Sequence, residues 1–560
     1  MKNRYATLAW LLLGSPAWAQ TVSSLVPARN ASAASRATVV SATLVAPAPA
    51  AALRVFSAQT GGRKAGSGTV SGNTVTFDPA VDFRAGETVT SSLTGAAPHV
   101  WQFVAAATGG TGTFTTASSV DTAPGQTSGS TSTITPADLD GDGDLDVLVP
   151  GGFGSLLMWY SNDGTGRLSN PNRSIPTTNI AQNVAVGDID ADGDLDVVAA
   201  AARPSQFDIA RNDGAGNFTV SALSTSATNT SASGLLLFDA DGDADLDLVY
   251  YNWNSAAARQ IEVRLNNGTG VFGAAMVSAV PTQYGFATIQ PADLDQDGDL
   301  DLLLCCNSTL NGSNGFAQSF FNNGTGSYTA GAVYPAANYS GGAALGDVDQ
   351  DGDLDLAVVD YQSASPVRLL LNNGTGVFAA GTTLTSGSGG QRAAFADLDG
   401  DGDLDLLMHG VGDFVHLNDG RGNFGAAATV ATTGAPNGLA VVDMDNDGDL
   451  DLLTIESAAN APLLVRRNTN STTTATRPHS ATAFRCGPNP VASTGQLRVE
   501  LQAPAAATAT LRNALGRLVQ RQAFSGQATF LSTNGLCPGV YLLTVQAAAQ
   551  APLTQRVVVE

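Results

Sequence analysis

The stretch Asp138-Leu139-Asp140-Gly141-Asp142-Gly143-Asp144-Leu145-Asp146 sets five carboxylates on the odd places of nine residues. The same alternation returns six times. It recurs as Asp188, Asp190, Asp192, Asp194 and Asp196, as Asp239, Asp241, Asp243, Asp245 and Asp247, and as Asp293, Asp295, Asp297, Asp299 and Asp301. The last three copies are Asp347, Asp349, Asp351, Asp353 and Asp355, then Asp397, Asp399, Asp401, Asp403 and Asp405, then Asp443, Asp445, Asp447, Asp449 and Asp451. Successive starts lie 50, 51, 54, 54, 50 and 46 residues apart. Such a period marks stacked supersecondary units and matches a four-stranded propeller blade.

A second element follows each of the first six starts by 21 to 29 residues: NDGTGRL at Asn162, NDGAGNF at Asn212, NNGTGVF at Asn266, NNGTGSY at Asn322, NNGTGVF at Asn372 and NDGRGNF at Asn418. Asn or Asp before Gly between apolar runs is a strong hairpin signal. Each repeat therefore reads strand, acidic loop, strand, strand, turn, strand, with no helical period between. In the seventh repeat Asn468 opens NTNSTTT, which lacks both glycines, while Gly110-Thr111-Gly112-Thr113-Phe114 matches the missing half of the turn. A strand near Phe114 is expected to complete the last unit, closing a ring and hiding two sheet edges. The expected fold is all-β: a closed seven-bladed propeller rather than an open solenoid.

Alternating carboxylates could form one face of a strand, but Asp and Gly are depleted there. Like charges ~6 Å apart repel by about 0.7 kcal/mol even in water, and basic residues are not concentrated beside the loops in sequence. A bound divalent cation is the economical offset. Carboxylates at positions one, three, five and nine and a carbonyl at seven are hard oxygen ligands that suit Ca²⁺. Up to seven ions are expected. Position six, where the chain turns sharply, is Gly143, Gly193, Gly298, Gly352, Gly402 and Gly448, but Ala244 in the third loop, so the site at Asp239–Asp247 is expected to be strained or weak. An EF-hand needs a carboxylate at position twelve. That place holds Val149, Ala199, Tyr250, Leu304, Val358, Met408 and Thr454, which excludes it in every repeat. The ninth aspartate instead opens an apolar run such as Asp146-Val147-Leu148-Val149, so the ion is expected to staple the loop to the strand that follows.

Loop, hairpin and period together resemble the FG-GAP/VCBS repeat of integrin α-subunit-like propellers, over roughly residues 108 to 470. The resemblance implies Ca²⁺ at the Asp-rich loops of one rim, with the opposite rim free for partner contact. Ala244 departs from the family pattern.

Composition agrees with turn-rich β-structure: of 560 residues only 13% are charged, 6% are aromatic and 62 are glycine. Thirty-five of the 49 acidic residues lie in the seven loops, leaving 14 against 26 Lys and Arg elsewhere. The net charge of −23 is thus a local device, and it excludes affinity built on neutralising phosphates, so no nucleic-acid partner is expected. Residues 1–19 read as an export signal, with Lys2 and Arg4, an apolar run from Tyr5 to Leu13, and Ala17-Trp18-Ala19 before the cut. No later stretch is apolar enough to span a bilayer, and with the export signal a secreted or outer-surface location is expected.

Residues 38 to 104 alternate with period two, as in Thr69-Val70-Ser71-Gly72-Asn73-Thr74-Val75-Thr76-Phe77, and the block placed at 20–107 resembles small bacterial Ig-like β-sandwiches, for which a spacer role is expected. The propeller is placed at 108–467 and a Thr/Asn/Ser-rich linker at 468–484. Residues 485–560 read as a small β-sandwich: Pro488-Asn489-Pro490, LRVEL at Leu497, NALGRLV at Asn513, GLCPGVYLLTV at Gly535 and a final Arg556-Val557-Val558-Val559-Glu560. In that order they resemble the C-terminal sorting domain of type IX secretion substrates in Bacteroidetes. The resemblance implies that secretion machinery as a partner, followed by release or surface attachment. Cys305 and Cys306 are expected as buried thiols, and Cys486 with Cys537 as either a pair or two thiols.

No catalytic constellation is legible. The four histidines, His99, His409, His416 and His479, lack zinc spacing and accompany no nucleophile motif. Outside the loops Glu262, Glu456, Asp360 and Asp413 are scattered. The expected function is non-enzymatic adhesion or recognition of an extracellular protein or glycan. The alternative is a polysaccharide lyase or glycoside hydrolase on the same scaffold. Trp159, Trp253, Tyr250 and Tyr251 could stack on sugars in a lectin, although such aromatics more often fill a propeller core.

Overall fold

The computed structural model describes residues 22–59, 62–96, 98–116, 118–120, 134–150, 155–169, 173–178, 181–201, 206–224, 232–252, 259–280, 287–306, 315–335, 340–360, 367–385, 392–410, 412–430, 436–456, 462–469, 484–487, 493, 495–513, 518–536, 539–547 and 553–559. The chain divides into two compact units, Met1–Thr473 and Thr474–Glu560. Among the described residues every regular element is a β-strand, and no helix is long and apolar enough to cross a membrane.

The acidic repeats build seven four-stranded antiparallel sheets. The first contains Thr135–Ala137, Asp146–Pro150, Leu156–Tyr160 and Arg173–Pro176, side by side in chain order. The second strands of the other six are Asp196–Ala201, Asp247–Asn252, Asp301–Cys306, Asp355–Asp360, Asp405–Gly410 and Asp451–Glu456. All seven begin on the ninth aspartate of a loop. Ahead of it, Asp and Gly forbid a strand; after it, residues such as Val147, Leu148 and Val149 are buried on both faces. Val147 and Val149 pack towards Val442 and Leu453 of the seventh sheet, whereas Leu148 packs towards Val186 and Val197 of the second. One alternating strand thus joins two cores, and the first sheet shares a core with the last.

The seventh sheet takes its outer strand from upstream of the first repeat. Pro436–Val442, Asp451–Glu456 and Leu463–Arg466 are completed by Ser118–Val120, with Leu463 opposite Val120 and Val465 opposite Ser118. Asn468 bridges Phe114, Thr469 N–H donates to the Thr113 carbonyl (2.8 Å), and Thr111 N–H donates to Asn468 Oδ1 (3.2 Å). The glycines absent after Asn468 are supplied by Gly110 and Gly112, both left-handed at φ +81° and +64°.

A cyclic set of hydrogen bonds ties each sheet to the one before it. The first Asn of each turn buries its amide and donates Nδ2 to the position-two carbonyl of the preceding acidic loop. Asn212 reaches Leu139 (2.8 Å), Asn266 reaches Ile189 (2.7 Å), Asn322 reaches Ala240 (2.8 Å), Asn372 reaches Leu294 (3.0 Å), Asn418 reaches Val348 (2.8 Å) and Asn468 reaches Leu398 (2.7 Å). Asn162 of the first repeat donates to Met444 of the seventh (2.8 Å). The repeats therefore form an all-β, propeller-like fold whose inter-sheet bonding returns to its start.

Upstream, two sheets share one core. Val22–Val26, Val40–Leu44, Thr74–Pro79 and Gly66–Ser71 form one in that order, and Ala52–Ser57, Thr88–Thr94 and His99–Val104 form the other. Val40, Val55, Val89, Leu93 and Trp101 fill the space between them. This sandwich lies against the acidic loops: a cavity of about 460 Å³ is lined by Gln102 and Val104 on one side and by Gln290, Phe395 and Leu404 from the repeats on the other. It is packed onto the acidic loops rather than standing clear of them. The C-terminal unit is a separate five-stranded sheet, Phe484–Gly487, Gln496–Asn513, Leu518–Ser532, Gly539–Ala547 and Leu553–Val559, around Leu497, Val499, Leu511, Leu543 and Val557. Cys305 and Cys306 are buried thiols, and the side chains of Cys486 and Cys537 fall outside the described residues.

The clamp gives a test of closure. Each clamp amide also donates to the position-eight carbonyl of its own loop, Asn162 to Leu145 and Asn266 to Leu246 (both 3.1 Å), so its removal orphans two buried carbonyls, at about 1–3 kcal/mol each. Asn162→Ala and Asn266→Ala should lower the urea midpoint equally in a closed ring; a clearly smaller loss for Asn162→Ala contradicts closure.

Candidate metal centres

All seven acidic loops share one hydrogen-bond scheme. The position-one carboxylate accepts from the N–H of position six, between 2.9 and 3.2 Å, from Gly143 on Asp138 through Gly448 on Asp443. The position-five carboxylate accepts from the N–H of position seven at 2.9 to 3.1 Å. The position-nine carboxylate uses both oxygens. Oδ2 accepts from position two of its own loop at 2.9 to 3.3 Å, and Oδ1 accepts from the turn Asn N–H at 2.8 or 2.9 Å. The staple between loop and following strand, expected from an ion, is made by these hydrogen bonds.

Two backbone positions per loop are left-handed. Position six lies at φ +93° to +101° in the six glycine loops and at +72° for Ala244. Ala244 donates the same bond to Asp239 Oδ2 (2.9 Å), so the third loop closes like the others. The left-handed alanine costs about 1–2 kcal/mol, but the carboxylates keep their places. Position four, which the sequence reading overlooked, is also left-handed throughout, at Gly141, Ala191, Gly242, Gln296, Gln350, Gly400 and Asn446. Where it carries an amide it reaches the next repeat: Asn446 to Asp144 (2.8 Å), Gln350 to Asp403 (2.6 Å) and Gln296 to Asp353. The first glycine of each turn packs on the position-seven carboxylate. A methyl on Gly268, for example, would stand 2.7 Å from Asp245 Oδ2, at φ +74°.

Exposure is graded within each loop. Position nine is at most 1% exposed in every repeat, position five is exposed throughout, and position three is half-buried. Seven groups of three or more potential ligand residues, with donor atoms within 4.8 Å of one another, occur among the described residues. Five are Asp138, Asp140 and Asp142; Asp188, Asp190 and Asp196; Asp239, Asp241 and Asp243; Asp293, Asp295 and Asp297; and Asp347, Asp349 and Asp351. Buried carboxylate oxygens without a hydrogen-bond partner recur along the loops: Oδ1 of Asp138, Asp140, Asp190, Asp293, Asp349, Asp399, Asp443 and Asp445, and both oxygens of the position-seven Asp449. Leaving such oxygens without a partner is costly. Their position and hardness fit a divalent cation held mainly by positions one, three and five.

Folding also brings basic groups that are distant in sequence. Arg173 pairs with Asp140 (3.2 Å), Arg211 with Asp190 (3.2 Å) and Arg467 with Asp445 (3.1 Å), each at position three. Arg29 of the sandwich pairs with the position-one Asp293 (3.0 Å). The sequence reading that cations are lacking beside the loops is corrected for these four, and Arg54 and Arg63 also act on Asp245 of the third loop and Arg84 on Asp138 and Asp443; carboxylates still outnumber the guanidinium groups that face them.

Several other residues singled out in the sequence are buried among the described residues. Trp159, Tyr250 and Tyr251 are at most 1% exposed, and Trp253 lies outside the described residues. Glu262 is buried and accepts from Tyr250 Oη (2.6 Å), Asn252 (2.6 Å) and Gln260 (2.7 Å). His409 and Asp413, both buried, pair with each other, and His416 Nδ1 meets the Gly425 carbonyl (2.9 Å). His479 and the side chains of Asp360 and Glu456 fall outside the described residues.

The chain carries FG-GAP-like repeats. The family model matches residues 99–149, 152–199, 192–250 and 347–408, and a secretion system C-terminal sorting domain matches 487–560. No curated protein matches. Among solved structures, BBS1N in complex with ARL6DN is similar over 63% of this chain and 98% of its own, at 14% identity and a TM-score of 0.43. The extracellular domain of BT3049 from B. thetaiotaomicron is similar over 85% of this chain and 60% of its own, at 9% identity and a TM-score of 0.38.

Burial, the largest cause, raises the position-nine carboxyls to about 7 at Asp146, Asp196, Asp355 and Asp405, and to about 8 at Asp247, Asp301 and Asp451. Position one rises to about 7 at Asp239 and Asp293 and to about 6 at Asp347, Asp397 and Asp443, again chiefly through burial. A carboxyl whose folded pKa exceeds its unfolded one favours folding at low pH, and that contribution is lost as pH rises from about 4 towards 8. Under chelator the melting temperature should therefore fall between pH 5 and 8, and the gain on adding Ca²⁺ should grow over the same range. A chelated melt that rises with pH contradicts these shifts.

Proposed function

We propose that this is a secreted or cell-surface Ca²⁺-binding protein whose repeats form a closed seven-bladed β-propeller serving non-enzymatic adhesion or recognition. The observation that carries the reading is the sevenfold loop, in which burial and backbone bonds aim the first carboxylates at one point. Calcium fits best because every donor is a hard oxygen in a flexible loop. The bound ion would supply positive charge and coordination, and the chain's own residues orient the carboxylates: position six fixes position one, and position seven fixes position five.

The N-terminal sandwich is read as Ig-like. Numbered from the N-terminus, its sheets run 1-2-5-4 and 3-6-7, the order of a constant-type immunoglobulin domain. The sorting-domain match supports export through type IX secretion machinery. On this reading the cations are structural, and the rim opposite the acidic loops meets an extracellular protein or glycan. The burial of Trp159, Tyr250 and Tyr251 favours core over sugar-stacking roles for them.

Two measurements test this. Chelation should lower the melting temperature by 10 °C or more, on the order expected when several sites are emptied together, and Ca²⁺ should restore it. Incubation with plant and algal polysaccharides should yield no new reducing or unsaturated ends, while a glycan array or surface pull-down should retain a partner. A chelator-indifferent melt contradicts the calcium reading; released sugar ends would establish the enzymatic alternative.

A further inference from the structure

The N-terminal sandwich meets the acidic loops through their own turning points. Val100 N–H donates to the Gly298 carbonyl (2.6 Å), Thr108 N–H to the Gly448 carbonyl (2.8 Å) and Asn30 Nδ2 to the Gly352 carbonyl (3.1 Å). All three acceptors are position six, whose N–H is bonded to the position-one carboxylate of the same loop. Arg29 adds the ion pair to Asp293, and the Gln59 carbonyl accepts from Asp138 N–H (2.8 Å). At Gly298 the fit is close: a methyl there would stand 1.9 Å from His99 Nδ1. Burial, then Arg29, holds His99 well below the usual imidazole range, at about 4, so it faces Arg29 uncharged.

We infer that the acidic-loop rim is the docking seat of the chain's own N-terminal sandwich, and that docking is coupled to cation occupancy. The inference rests on the calcium reading above. The same residue carries both contacts: its N–H, in the peptide before it, holds the loop carboxylate, and its C=O, in the peptide after it, accepts from the sandwich. A loop that relaxes when its carboxylates repel one another misplaces the acceptor that the sandwich needs. Coupling of this kind is reciprocal: the docked sandwich tightens cation binding as much as the cation tightens docking. The rim that would otherwise be open is thus held by an internal partner, and cation withdrawal releases it as a folded unit.

Hydrogen exchange on the full-length chain tests this, read in Ca²⁺ and again at a chelator level where the circular dichroism of the sheets is retained. The expected result is exchange tenfold or more faster at the Val100 and Thr108 amides together with Gly298 and Gly448, while Val55 and Val89 inside the sandwich keep their protection. If Gly298 and Gly448 respond but Val100 and Thr108 do not, the coupling is overturned and the calcium reading survives. No response at any of the four removes the calcium reading, and the coupling with it. Loss at Val55 and Val89 in step with the interface also overturns the proposal, because the sandwich would then be unfolding rather than undocking.

Discussion

One carboxylate in each repeat fixes everything around it. The ninth aspartate is buried at the head of the second strand and holds a loop N–H on one oxygen and a turn N–H on the other. Two segments 16 residues apart in the first repeat, Asp146 and Asn162, are thereby locked together. With its backbone fixed there, the Asn side chain spans a carbonyl of its own loop and one of the preceding loop, as Asn162 spans Leu145 and Met444, which is how local geometry becomes inter-sheet order. Burial disfavours the charge of the ninth aspartate, yet two donated N–H groups per carboxylate favour it. Position-one carboxylates also accept backbone N–H groups, three of them at Asp239, and the exposed or orphaned oxygens left in the loop are what a cation would satisfy.

The repeats are chemically alike, but their surroundings differ. Arginines reach position three in the first, second and seventh loops, and position one in the fourth. Amides at position four reach onward from the fourth, fifth and seventh loops, whereas glycine at that place in the first, third and sixth cannot. The sites are therefore expected to differ in strength. The fourth stands apart more than the third, because a guanidinium sits on its position-one carboxylate, while Ala244 leaves the third loop's bonding unchanged.

Much of this was legible in the sequence because it is periodic and local. The Asp alternation, the apolar run after Asp146 and the Asn-Gly turns each follow from residue chemistry at short range. The shift of the last outer strand to Ser118–Val120 was legible for the same reason: Asn468 lacked glycines that Gly110 and Gly112 supply. What escaped depends on contacts between distant segments. The left-handed position four is occupied by Gly, Ala, Gln or Asn, so no residue type announces it. The Asn clamp looked like turn chemistry because the same residue serves both roles. Arg173 and Asp140 are 33 residues apart, and Arg29 and Asp293 lie on different folding elements, so their pairing could not be read from local charge. The sandwich read as a spacer because its strand pattern reports an internal core and nothing about what its loops touch.

The claim on which the account turns is that each acidic loop holds a divalent cation between its first, third and fifth positions. Anomalous diffraction from crystals of the intact protein equilibrated with Ca²⁺ or a lanthanide surrogate examines it directly. The account predicts a peak within coordination distance of Asp138, Asp140 and Asp142 and of their counterparts around the ring, the third loop included. Loops that keep this backbone at saturating cation yet show no peak, or peaks lying only at the outer carboxylates of positions five and seven, would contradict it.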